Sequence, residues 1–168
     1  MPIDSYRFLD FASRQIMRAW SEREAQERRE IPWTPLPRPL AECTVALVST
    51  AGVARHDQPP FDQEGERRNP WWGDPTHRVL PLGTTERDVR LYHLHVDPRF
   101  GEQDLDVVLP MRRLEELAVA GRVGRAAPSH FSIMGYILRP EVLLGATAPA
   151  IAVRMRAEGV DAAALVPA

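Results

Sequence analysis

The run Thr44-Val-Ala-Leu-Val-Ser-Thr50 constrains the fold more than any other stretch of the chain. It is short, β-branched and almost continuously apolar, the pattern of a strand covered on both faces. Such a strand needs helices above and below its sheet. Helices are expected over residues 5–29, over Pro110–Ala120 with proline in the first turn and Gly121 as a stop, and over Pro140–Glu158 stopped by Gly159. Pro149 should kink the last of these or divide it. Further strands are expected at Arg78–Pro81 and Val89–Val96, with a last buried strand at Asp161–Val166 and a strand or loop near Ser132–Tyr136. Strands alternating with helices give an α/β layered domain of Rossmann or flavodoxin-like type, with a mostly parallel sheet behind an N-terminal helix. Residues 1–40 read as that helix and a stiff connector with Pro32, Pro35, Pro37 and Pro39, and residues 41–168 as a single domain. The stretch from Arg55 to Thr76 lacks periodicity and reads as one long loop, a kind that is more often functional than idle.

Composition removes several chemistries. All 21 basic residues are arginine, so neither a Schiff-base lysine nor a lysine-dependent phosphate loop is available. Cys43 is the single cysteine, which excludes an internal disulfide, a C-x-x-C pair and an iron–sulfur ligand set. A formal net charge of −2 gives no electrostatic case for nucleic acid. No apolar run approaches a membrane span, and the N-terminus lacks the layout of a signal peptide. The expected location is the cytoplasm.

Ligands of such sheets bind at the carboxyl ends of the strands. That places attention on Thr50-Ala51-Gly52, whose backbone N–H groups can hold an anion or simply make a turn. His93-Leu-His95-Val-Asp97 is the densest constellation. On a strand its three polar side chains share a face. They then form either a ligand set for zinc or ferrous iron, or an acid–base group in which Asp97 orients a histidine. A structural role for the two histidines is the third possibility. His56 and Gln58 precede the stiff Pro59-Pro60 pair, and Arg78 can clamp a carboxylate or pair with an acidic residue. His130 and Ser132 lie in a later segment that can reach the same pocket. No cofactor is required by any motif, and a divalent metal (zinc or iron) is the one candidate.

Several of these segments carry a joint signature. CTVALVSTAGVARHDQPPFD (43–62), GDPTHRVLP (73–81), HLHVD (93–97), DLDVVLP (104–110), APSHFSIMGY (127–136) and GVDAAALVP (159–167) resemble component B of the glycine, sarcosine, betaine and D-proline reductases, a selenoprotein B family. PWTPLPRPL (32–40) is similar to the segment leading into that family's first strand. The resemblance spans roughly residues 30–168. It implies reductive cleavage of a carbon–nitrogen bond in a small amino-acid-like or betaine-like substrate, the carbon fragment passing to a selenol or thiol. That group belongs to a U/C-x-x-C motif just after the strand matching Asp161–Val166. Here the sequence stops at Ala168, about where the motif would begin, and Cys43 lies outside any such pair. A split gene or a short, diverged form is expected, with a selenocysteine codon read as a stop as the third origin. The intact mass of the native protein distinguishes the last.

The expected role is therefore one subunit of a hetero-oligomeric reductase. Thr50, Gly52, Gln58, Arg78 and Ser132 would contact substrate, and His56, His93, His95, Asp97 and His130 would do catalytic work. A partner subunit carrying C-x-x-C or U-x-x-C would supply the nucleophile. A self-sufficient metal-dependent hydrolase, lyase or isomerase built on His93, His95 and Asp97, and a non-catalytic binding or scaffold subunit, are the alternatives.

Overall fold

The structure is a computed structural model that describes residues 10–12, 14–15, 18–19, 22, 34–69 and 72–168. The chain divides into two compact units, Met1–Pro35 and Leu36–Ala168. In the first, the described residues from Phe11 to Glu22 are helical, and the Arg14 amide donates to the Asp10 carbonyl at 2.9 Å. The remainder of the helix expected over residues 5–29 lies outside the described residues.

The second unit is the layered α/β domain. Its elements in chain order are β1 (Thr44–Ser49), β2 (Val53–Arg55), α1 (Gln63–Arg68), β3 (Arg78–Pro81), β4 (Val89–Leu91), α2 (Pro98–Gln103), α3 (Met111–Val119), β5 (Arg125–Ala126), β6 (Ser129–Ser132), α4 (Ala148–Ala157) and β7 (Ala162–Val166). β1 is the centre of the main sheet, buried at every residue. β5 and β6 run parallel along one side of it, β7 runs parallel along the other, and β3 closes the β6 edge antiparallel. A separate antiparallel pair joins β2 to β4.

Alternation along β1 sends its side chains to two cores. Cys43, Val45 and Leu47 pack with Leu109, Met111 and Leu114 on the α3 face. Ala46 and Val48 pack with Phe131 and Ile151 on the α4 face. Completely buried side chains such as Leu80, Leu109 and Phe131 each contribute about 1.5–3 kcal/mol by leaving water.

The β5–β6 segment carries two extra residues against β1. Thr44 and Val45 pair with Arg125 and Ala126, whereas Val48 and Ser49 pair with Phe131 and Ser132. Pro128, which has no N–H, sits in this break. The Leu47 amide opposite it finds no backbone carbonyl there and donates instead to Nδ1 of His130 at 3.0 Å.

Several expectations change in the folded chain. The stretch from Arg55 to Thr76 contains α1, whose N-cap Asp62 accepts from the Gly65 amide at 2.8 Å. The strand expected over Val89–Val96 ends at Leu91, and α2, which the sequence did not suggest, begins at Pro98. The segment Ser132–Tyr136, expected as strand or loop, is loop after Ser132, the last residue of β6 (Ser129–Ser132). Pro149 does not divide the last helix. A π-helical turn over Leu143–Thr147 absorbs the missing N–H and the ring's crowding of the preceding turn. β7 forms as expected but is not buried, and Leu165 is 75% exposed.

Candidate functional site

The connection after β1 leads to the β5–β6 side with α3 on one face, whereas the connection after β6 crosses back to β7 with α4 on the other. The carboxyl ends of β1 and β6 lie side by side at the end of the sheet where ligands of open α/β domains bind. Thr50 follows β1 and Gly135 follows β6, and the fold brings the two together. A methyl group on Gly135 would lie 3.1 Å from the Thr50 carbonyl, 3.2 Å from its Oγ1 and 2.8 Å from Nε2 of His93. Only a residue without Cβ lets the three meet so closely.

Gly52 delivers His93 to this point. It turns the chain out of β1 at φ +62°, and a Cβ there would strike the Met134 sulfur and press on the His93 amide nitrogen at 3.2 Å. The Tyr92 amide donates to the Gly52 carbonyl at 2.9 Å, which fixes the His93 segment against the turn. His93 is 8% exposed, and burial, followed by the nearby His95, holds its imidazole below the ordinary value. The neutral ring's tautomer follows from its partner. Nδ1 accepts from the His95 amide at 3.2 Å, so the proton sits on Nε2, the atom that approaches Gly135. The Thr50 hydroxyl accepts from the Ala168 amide at 2.9 Å and keeps its own proton to donate.

His95 extends the constellation toward solvent. Its ring lies 5.8 Å from His93 and 4.9 Å from Tyr136, centroid to centroid. Nε2 of His95 stands 3.1 Å from Oε1 of Glu66, a carboxylate only 5% exposed. Neither Glu66 oxygen has an aligned hydrogen bond among the described residues, and burial holds the carboxyl above its usual value against the opposing pull of His95. A buried carboxylate against an exposed imidazole is a pair that can store and release a proton.

The other anticipated residues are placed elsewhere or already engaged. His93, His95 and Asp97 do not share a strand face, because β4 ends before them. Asp97 caps α2 instead, accepting from the Arg99 amide at 3.1 Å and its guanidinium at 2.6 Å. Among the described residues no group of three or more histidine, cysteine, aspartate or glutamate side chains can hold a metal. The Thr50, Ala51 and Gly52 amides donate to the Val166 carbonyl, the Ser49 hydroxyl and the Ile133 carbonyl, so none is left for an anion. His56 is exposed at the far end of the β2–β4 pair, beside Val89, Arg90 and Glu102. Gln58 bridges the Arg55 amide and the Val79 carbonyl. Arg78 lies 4.1 Å over the Phe61 ring and donates to the Pro59 and Pro60 carbonyls, which clamps the loop rather than a substrate. Ser132 is buried and accepts from the Val53 amide at 2.7 Å. His130 is fully buried, and its imidazole is pushed down to about 4 by that burial.

Glu66, Gly135 and Tyr136 were not legible as site residues. Glu66 sits in the run Gln-Glu-Gly-Glu-Arg-Arg, which reads as a solvated face, and nothing local reveals that one of its carboxylates turns inward.

Comparison with characterised proteins bears on this arrangement. Over 133 residues the chain is 30% identical to D-proline reductase subunit gamma of Acetoanaerobium sticklandii. The chain is thus similar to a subunit of D-proline reductase. The matched region is 79% of this chain and 52% of that subunit, so the chain spans about half the length of the curated relative it matches. No family model and no solved structure matches it. No helix among the described residues is long and apolar enough to cross a membrane.

Proposed function

We propose that the chain is one subunit of a reductase of the component B type, and that it binds a small amino-acid-like or betaine-like substrate at the carboxyl ends of β1 and β6. The observation that carries this reading is the convergence of His93 Nε2 and Thr50 Oγ1 on Gly135, at the strand ends of a chain 30% identical to a D-proline reductase subunit. Both groups are hydrogen-bond donors, suited to the carboxylate that amino acids and betaines share. The partner's thiolate or selenolate takes the substrate carbon as the carbon–nitrogen bond breaks. The amine departs with the bonding electron pair, and the Glu66–His95 pair is the local proton source for it.

The test is turnover of glycine, sarcosine, betaine and D-proline by the complex purified from its own host with a U/C-x-x-C polypeptide. The isolated chain should turn over none of them. His93→Ala in the complex should lower turnover about 10- to 100-fold, the loss of one hydrogen bond to a charged group. Glu66→Gln should lower it less, and should also change the pH profile, because the glutamine cannot exchange a proton. Wild-type turnover by the His93→Ala complex would overturn the reading.

A further inference from the structure

The sheet is unfinished at β7. Among the described residues β7 pairs with β1 along one edge and with no strand along the other. Its sequence Ala-Ala-Ala-Leu-Val has none of the charges or prolines that protect an open edge. Parallel strands are ordinarily covered on both faces, but β7 is covered only in part, at Ala162 and Val166 on the α3 face, and its Ala163, Ala164 and Leu165 are exposed. On the α3 side an apolar groove of about 370 Å³ runs beside Ala162 and Ala164, floored by Val45 and Leu47 and walled by Leu114 and Leu117. On the α4 side Leu165, in register with the buried Val48, is 75% exposed. α4 itself carries apolar residues on more than one side, with Ile151 in the core and Val153 63% exposed.

We infer that the open edge of β7 is the docking site of a second polypeptide, which adds a parallel strand to the sheet and lays a helix over Leu165 and Val153. The matched relative is about twice the length of the region it shares with this chain. An extra half needs a place, and only a strand–helix unit satisfies an edge and a face together. The side follows from the exposed apolar residues: Leu165 of β7 and Val153 of α4 both lie open on the α4 side of the sheet. The Ala168 amide on Thr50 places the carboxyl end of β7 at the candidate site, so an added parallel strand also ends there. The identity of the occupant, a polypeptide carrying the U/C-x-x-C motif, rests on the proposed function. The docking edge does not.

The experiment replaces Leu165 with p-benzoyl-phenylalanine, and separately Val119, which is 91% exposed on α3. Each chain is produced in its own host, irradiated and digested. The expected result is a cross-link from position 165, at least about ten times the yield from 119, to a separate polypeptide with a C-x-x-C or U-x-x-C motif. A cross-link from 165 to a second copy of this chain, to residues 1–33 of the same chain, to sequence continuing past Ala168, or no excess over 119 overturns the inference. Leu165→Asp should cut the co-purifying polypeptide at least tenfold without shifting the melting temperature of the isolated chain. A complex untouched by Leu165→Asp sinks the docking edge and spares the proposed function. A complex that forms through β7 and cleaves none of the four substrates does the reverse.

Discussion

Gly73→Ala is expected to lower the unfolding free energy by about 3 kcal/mol or more. A Cβ on Gly73 would stand 1.7 Å from the Tyr136 carbonyl oxygen and 2.8 Å from its carbon, and 3.0 Å from the Ile137 Cα. These are backbone atoms, which no rotamer change can move aside. The segment after β6 must shift, and it carries Gly135 and Tyr136 to their places beside His93 and His95. Urea denaturation should show a lower midpoint with an unchanged slope. Gly145→Ala is the comparison. Nothing lies within 4 Å of its Cβ position, so an alanine in that helical turn should be neutral or stabilise by up to about 1 kcal/mol. A Gly73→Ala chain as stable as the wild type would show that the loop does not pack on the β6 exit in solution.

Acidification between pH 6.5 and 4 is expected to destabilise the domain through His130. Its imidazole is held at about 4 in the fold, chiefly by burial and partly offset by Glu158, against an ordinary value of 6.5. Between those values the unfolded chain binds the proton and the folded chain does not. Stability therefore rises with pH across this window and falls as pH drops through it, levelling off below about 4. The gap corresponds to about 3 kcal/mol in all, of which about 2 kcal/mol is lost by pH 5. The structural cause is specific. Nδ1 accepts the Leu47 amide in the break between β5 and β6, and a proton there would leave two donors face to face. Burial also holds His93 and His77 below their ordinary values, so both add to the slope. The readout is therefore the difference in pH dependence between wild type and His130→Gln, whose carbonyl can still accept the Leu47 amide. Equal losses in the two proteins between pH 7 and 5 would remove His130 as the cause.

These cases separate what local pattern can convey from what it cannot. β1 was legible because its composition alone demands cover on both faces. α3 was legible from its proline start and glycine stop, and β3 from its short apolar run. The end of β4 was not, because His93 and His95 alternate like strand residues while Gly52 and Tyr92 turn that chain away from its pair. The metal-ligand geometry expected of His93, His95 and Asp97 depended on that strand and lapsed with it, once Asp97 found the amide of Arg99. His130 looked like a pocket residue because a histidine's role cannot be read from its neighbours in sequence. A two-residue break in register, set by Pro128, gave it a backbone amide to satisfy.

The sequence by itself determined the α/β layering, the position of the central strand and its carboxyl end, and the absence of lysine, disulfide and C-x-x-C chemistry. Those follow from periodicity, turn residues and residue counts, which are local or additive. Tertiary structure alone decided that Glu66 is buried against His95, that Gly135 joins Thr50 to His93, and that β7 keeps an open edge. Each depends on contacts between residues far apart in the chain, and burial and pairing are properties of what packs against a group rather than of the group.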